Sequence, residues 1–114
     1  MSKITSLSEI EKLTAGDTRA LKELLQVFLA EGTLQIENLQ AYFNSGNLNE
    51  LKNTAHRLKS SLALIGMNAY RNMAEEIELH SGKDVKKTKE QVSELVIVYK
   101  RGLEEIKIKL EELA

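Results

Sequence analysis

The chain has 114 residues, the size of one ordinary domain, so residues 1–114 are predicted to form a single domain. It contains no cysteine, which excludes disulfides and thiolate metal sites, and its formal net charge of −1 argues against a general nucleic-acid binder, which usually carries a strongly basic face. No apolar run approaches the roughly 20 residues that span a bilayer, and the N-terminus has no secretory signal, so a cytoplasmic protein without a membrane segment is expected.

The composition favours helices throughout. There is no proline, the residue that breaks helix interiors, and the chain is rich in Leu, Glu, Lys and Ala, which are good helix formers. Alternating strand patterns are hard to find. The sequence therefore predicts an all-α protein.

The first predicted helix is short. Ser6 and Glu9 have the spacing of a capping box, and Gly16 ends the helix. Its apolar stripe consists of Leu7, Ile10 and Leu13. Asp17 can cap a long second helix over about 18–44, in which Gly32 allows a bend.

Three further helices follow, joined by short turns. Asn47 and Glu50 form a capping pair that opens the third helix, which runs to Ile65 before Gly66. The fourth covers about 68–80, and the last begins near Asp84 or near Thr88 and reaches the C-terminus. Because short turns favour antiparallel neighbours, we expect an antiparallel up-down four-helix bundle with a short extra N-terminal helix.

The third helix carries one histidine outside its apolar stripe. Leu51, Ala55, Leu58, Leu62 and Ile65 recur at spacings of four and three, so this stripe must face the core. On the same helical wheel, at about 100° per residue, the histidine lies roughly 140° from Leu51 and points outward or sideways. It is His56, and its surface neighbours are Lys52, Lys59, Ser60 and Ala63.

These neighbours suit phosphoryl chemistry. A neutral imidazole is a competent nucleophile near neutral pH, a lysine one turn away supplies positive charge, and small side chains leave room for another protein's active site. The sequence has neither a G-x-x-x-x-G-K-[ST] loop nor a G-x-G-x-x-G loop for ATP. We therefore expect the phosphoryl group to come from a partner protein.

The segment AHRLKSSLALIG, residues 55–66, resembles the signature of histidine-containing phosphotransfer (HPt) domains, roughly A-H-x-L-K-G-S-x-x-x-[LI]-G. The resemblance covers nearly the whole chain and includes Ile77-Glu78 after the motif. It implies that His56 is the phosphoacceptor and that Lys59 is the adjacent positive charge. It further implies that Glu78 contacts the imidazole and fixes its tautomer. Ser60 departs from the family, which usually has glycine there.

The resemblance also implies a function and partners. The chain would take a phosphoryl group from a receiver-domain aspartate and pass it to a second receiver. It would thus be a carrier and not an enzyme, whose partners are response-regulator receiver domains and a hybrid sensor histidine kinase. No cofactor or metal is expected on the chain, because magnesium belongs to the receiver. The alternative is a non-catalytic helical binding module, and the initial methionine favours a freestanding protein.

Overall fold

The computed structural model describes residues 3–114, and all of its regular structure is helical. The five helices are α1 (Ser8–Thr14), α2 (Thr18–Asn44), α3 (Leu48–Leu64), α4 (Asn68–His80) and α5 (Val85–Leu113). Within this part of the chain there is no strand, which confirms the all-α prediction. The bounds of α2 and α4 coincide with those expected, and α3 ends one residue earlier.

The four long helices form a closed ring of neighbours. Helix α2 packs on α3 and α5, and α4 packs on α3 and α5. Contacts at similar distances from each turn indicate that α3 and α4, and likewise α4 and α5, are antiparallel: His56 meets Glu78 across the α3–α4 turn, and Gln91 meets Glu76 across the α4–α5 turn. The four long helices thus form a helical bundle, and the short α1 packs against α2.

One hydrophobic cluster fills the bundle and includes the whole predicted stripe of α3. The five residues of that stripe are each 0% exposed: Leu51, Ala55, Leu58, Leu62 and Ile65. Tyr99 of α5 is also fully buried, and its ring lies against Gly32 of α2. That the full span 1–114 is a single domain stays a prediction.

Side-chain caps explain where three helices begin. Asp17 accepts a bond from the amide of Ala20 at 3.1 Å, and Asn47 does the same for Glu50 at 3.2 Å. Asp84 accepts from Lys87 N at 3.0 Å, so α5 starts after Asp84 and not at Thr88. Each cap satisfies one of the amides that a helix leaves unpaired in its first turn.

The expected capping box of the first helix is wrong. No side chain caps α1, which follows Leu7, and the amide of Ser6 donates instead to the carbonyl of Ile65 at 2.8 Å. Leu13 is also not a core residue, because it is 68% exposed. The N-terminal segment is thus placed by contacts with the end of α3, which local spacing does not reveal.

Gly66 is required at that contact. Its φ is +73°, in the left-handed region, and a Cβ built there would lie 2.7 Å from Ser6 N. Glycine is the residue that adopts this conformation without strain and admits the neighbouring backbone. The glycine that closes the 55–66 motif therefore seats the N-terminal segment.

Glu105 of α5 holds the same segment from the other side. Its carboxylate accepts bonds from the amides of Ile4 and Thr5 at 3.0–3.1 Å and from Thr5 Oγ1 at 2.6 Å. Partial burial opposes ionisation, but these hydrogen bonds and the charge of Arg101 outweigh it and lower the pKa of Glu105. The ionised carboxylate is thus bound more favourably in the folded chain than in the unfolded one.

Glu105→Gln is therefore expected to lower the free energy of unfolding by about 1–2 kcal/mol at pH 7, because it removes charge-assisted hydrogen bonds. The pKa of Glu105 is lower in the folded chain than in the unfolded chain. This stabilisation is therefore fully present at a pH above the pKa of the unfolded chain, and it is lost as the pH falls through the pKa of the folded chain. Urea unfolding at pH 7 and near pH 3 measures the difference between wild type and variant, with the exposed Glu104→Gln as control. Equal stabilities of wild type and Glu105→Gln at pH 7 would contradict a stabilising role for these hydrogen bonds.

Candidate functional site

The imidazole of His56 is open to solvent, as its place on the helical wheel predicts. Its side chain is 66% exposed, although both flanking turns of α3 bury their stripe residues completely. Ser60, one turn later, is exposed, while Lys52 and Ala63 are half-buried. Ser60 and Ala63 therefore place only a small hydroxyl and a methyl group beside the ring, and Lys52 is the one long side chain among these positions.

Glu78 of α4 connects the histidine to the lysine one turn beyond it. Its Oε2 lies 2.6 Å from His56 Nδ1, and its Oε1 lies 2.7 Å from Lys59 Nζ. Glu78 and Lys59 are 20% and 19% exposed, so this ion pair is far better shielded than the ring. The antiparallel α3–α4 pair thus forms an Nδ1–carboxylate–ammonium chain, called the site triad below.

The charge on Glu78 determines which ring nitrogen is free. The hydrogen bond from Lys59 has the largest effect on the pKa of Glu78 and lowers it. Partial burial raises this pKa, but the hydrogen bond with His56 and the charges of His56 and Lys59 lower it further, so the pKa is lowered overall. The carboxylate is therefore ionised at neutral pH and can only accept hydrogen bonds. Nδ1 must then carry the proton that it donates, which leaves the lone pair on Nε2.

Lys59 is paired with a carboxylate in the free chain. Sequence alone suggested a lysine beside the acceptor, and the structure pairs its ammonium with Glu78. A cation held in this way is already oriented next to the imidazole, so little side-chain entropy remains to be lost when it meets another anion. The roles of His56, Lys59 and Glu78 in transfer stay predictions; their proximity is a feature of the structure.

Other kinds of site find no support in the described part of the chain. Within residues 3–114, no group of three His, Cys, Asp or Glu side chains is arranged to hold a metal ion. Of the five helices described, none is long and apolar enough to cross a membrane. The second histidine, His80, lies in a pocket at the α4–α5 turn and is not part of the site triad.

Sequence reasoning missed a groove on the other side of the histidine. It lies between α2 and α3 and includes Leu34, Thr54 and Arg57, the residue that follows His56 in the chain. Leu34 is 58% exposed, although it belongs to the longest apolar-rich helix before the motif. The one sequence signal of its exposure is that Leu34 does not fall on the same helix face as the buried residues of α2.

Comparisons with known proteins show which family the sequence is similar to. The sequence model of the family described as "Hpt domain" matches residues 23–114. The chain is also similar to the phosphorelay intermediate protein YPD1 of Candida albicans, with 29% identity over 76 residues. That match covers 67% of this chain but 41% of the relative, so the chain corresponds to less than half of that protein. No solved structure matches the chain.

Proposed function

This chain belongs to the Hpt domain family, and we propose that it is a phosphorelay carrier that receives and donates a phosphoryl group at His56. The observation that carries the proposal is the exposed imidazole whose Nδ1 is held by ionised Glu78, because this leaves Nε2 as the accessible nucleophile. The similarity to a protein named as a phosphorelay intermediate supports the same role.

The proposed transfer needs no reactant besides His56 and the aspartyl phosphate. The Nε2 lone pair attacks the phosphorus of an aspartyl phosphate, the phosphorus–oxygen bond to the aspartate breaks, and the aspartate leaves as a carboxylate. The proton on Nδ1 stays hydrogen-bonded to Glu78, which disperses the positive charge that the ring gains. Lys59 stabilises the negative charge of the phosphoryl group as it passes.

The partners that fit this chemistry are receiver domains. One receiver donates the phosphoryl group and a second accepts it, with a hybrid sensor histidine kinase at the head of the relay. The magnesium ion that assists receiver chemistry would lie in the receiver, so this chain contributes the nucleophile and the lysine. We place the relay in the cytoplasm and regard the chain as a carrier, since an ATP-binding loop is absent from its sequence.

The proposal is tested by incubating the wild-type chain with a panel of phosphorylated receiver domains and following the label. We expect acid-labile, base-stable phosphate on the chain, the behaviour of phosphohistidine. Binding of a receiver without labelling would instead identify a docking module with no phosphoryl chemistry. If no receiver binds the chain and none labels it, both the carrier function and the docking function are overturned.

Ser60 provides a test of how close the partner must come. Ser60→Phe is expected to slow transfer from a receiver by about tenfold or more, because its ring covers the approach to His56 one turn away. Ser60→Ala, which removes only the hydroxyl, should transfer at roughly the wild-type rate. The exposed Ser93→Phe on α5 is the matched control, and equal rates for Ser60→Phe and Ser93→Phe would contradict a close approach over α3.

A further inference from the structure

The outward face of α5 carries two exposed isoleucines. Ile97 is 62% exposed and Ile108 is 46% exposed. Because they are eleven residues apart, the helical repeat of about 100° per residue places them about 20° from each other around the helix axis. The fully buried Leu95 and Ile106 lie on the opposite side of α5. A single exposed isoleucine is ordinary, but two on one line give α5 a second apolar face besides the one that packs on the core.

These isoleucines belong to a row of exposed residues with the spacing of a coiled-coil seam. Its members recur at alternating intervals of three and four residues, the pattern with which one helix packs along another. The row is called the outer stripe below and consists of Glu94, Ile97, Arg101, Glu104, Ile108 and Glu111. The outer stripe is therefore a candidate contact surface for a second helix.

A depression along the N-terminal part of the outer stripe has a wall on one side only. Its volume is about 570 Å³, and all six of its lining residues belong to α5: Lys86, Lys89, Glu90, Ser93, Glu94 and Ile97. Within residues 3–114, no other helix contributes to the lining. A helix of another molecule can therefore lie here and cover Ile97 without moving any element of the bundle.

We infer that the outer stripe joins two copies of this chain through an antiparallel contact between their α5 helices. Ile97 and Ile108 lie at equal distances on either side of one point on α5, and Arg101 and Glu104 lie at equal distances from the same point. A two-fold axis through this point places Ile97 of each copy on Ile108 of the other. The same axis places Arg101 of each copy beside Glu104 of the other, so the outer stripe is complementary to itself in both apolar and charged positions.

The charges favour a weak and reversible dimer. Glu94 of one copy meets Glu111 of the other at the ends of the contact, and this like-charge pair opposes association. Over the whole surface the carboxylates are nearly balanced by Arg101 and by Lys100 and Lys107, which flank the outer stripe. One helix pair covers less than the roughly 800 Å² per partner of a standard interface. We therefore expect dissociation constants of about 10–100 μM.

The dimer leaves the phosphoacceptor accessible. Helix α5 packs on α2 and α4, so α3 lies diagonally across the bundle from it. The outer stripe is on the side of α5 that faces away from the core, and His56 of each copy thus stays open to solvent. The inference goes beyond the carrier function and does not depend on it: the assembled particle presents two imidazoles that face away from the shared contact.

Ile97→Asp tests the apolar part of the contact. Sedimentation velocity of the wild-type chain between about 10 μM and about 1 mM should show a dimer that grows with concentration. The variant should lose about tenfold or more in the association constant, because it brings a carboxylate into the contact with Ile108. Val27→Asp is the matched control, since Val27 is 53% exposed on α2 and lies outside the outer stripe.

Exchange of the central charges tests the antiparallel register. Arg101→Glu places two carboxylates together at each central contact, and Glu104→Arg places two guanidinium groups together, so each variant alone should dimerise about tenfold or more weakly than wild type. An equal mixture of the two variants should form heterodimers, because both central contacts then join opposite charges. Sedimentation with a fluorescent label on one variant measures this, and melting curves of each variant check that it is folded.

Four outcomes would overturn the inference. The first is a wild-type chain that stays monomeric up to about 1 mM. The second is an undiminished dimer in Ile97→Asp, and the third is an equal loss in Ile97→Asp and Val27→Asp. The fourth is a mixture of Arg101→Glu and Glu104→Arg in which no heterodimer forms although wild type dimerises. None of these results bears on phosphoryl acceptance by His56.

Discussion

Replacement of His56 by Gln is expected to lower the rate of phosphoryl transfer from receiver domains by at least about a thousandfold. Glutamine keeps a polar side chain of similar reach, but its amide nitrogen has no available lone pair with which to attack phosphorus. The side chain is 66% exposed, so the fold should not change. Incubation with a labelled receiver phosphate, followed by separate acid and base treatment, measures the loss.

His80→Gln is the matched control because His80 is the other histidine of the chain and is exposed at the end of α4. It should be labelled like wild type. Labelling that survives in His56→Gln but disappears in His80→Gln would place the phosphoacceptor at the α4–α5 turn. Circular dichroism spectra that match for all three proteins would show that the comparison concerns chemistry alone.

Local spacing predicted the fold and the exposed histidine because both depend on helix periodicity. The apolar stripe predicted for the third helix repeats at spacings of three and four, and the structure buries every residue of that stripe. Once that stripe faces the core, the direction of His56 follows from rotation about the helix axis. Because the turns between the long helices are short, only a few arrangements allow all four helices to bury their apolar stripes in one core.

Contacts distant in sequence were harder to predict. The spacing of Ser6 and Glu9 matched a capping box, yet the Ser6 amide bonds to Ile65, and Glu105 accepts from Thr5 some hundred positions earlier in the chain. Such contacts depend on how helices meet at one end of the bundle, which no local pattern encodes. A tertiary contact has therefore overridden a local preference.

The site was predictable in its residues but not in its connections. Resemblance to HPt domains placed His56, Lys59 and Glu78 in one neighbourhood, and the structure brings these three side chains together. Glu78 contacts His56 with one carboxylate oxygen and Lys59 with the other. This arrangement depends on the rotation of α4 against α3, which the residue spacing within either helix does not determine. The unpartnered hydroxyl of Thr54 was likewise invisible, because a threonine in a helix gives no signal of what faces it.

Lys59→Met is expected to slow transfer from a receiver by about tenfold to a hundredfold, because a fixed positive charge beside the moving phosphoryl group is lost. Methionine replaces the aliphatic stem of a side chain that is only 19% exposed, so packing is retained. Single-turnover transfer from a phosphorylated receiver measures the rate. The exposed Lys89→Met on α5 changes net charge equally and should transfer like wild type.

The partner of Lys59 allows charge stabilisation to be distinguished from simple disruption. Glu78→Gln removes the anion that holds the ammonium, yet its amide oxygen can still accept from His56 Nδ1. Lys59 then becomes free to bind the phosphoryl group, so phosphohistidine should persist longer in this variant, whereas Lys59→Met shortens its lifetime. If the ion pair at 2.7 Å merely held α3 against α4, both variants would slow transfer and lower stability alike. Opposite effects on phosphohistidine lifetime follow only if Glu78 and the phosphoryl group compete for the same lysine.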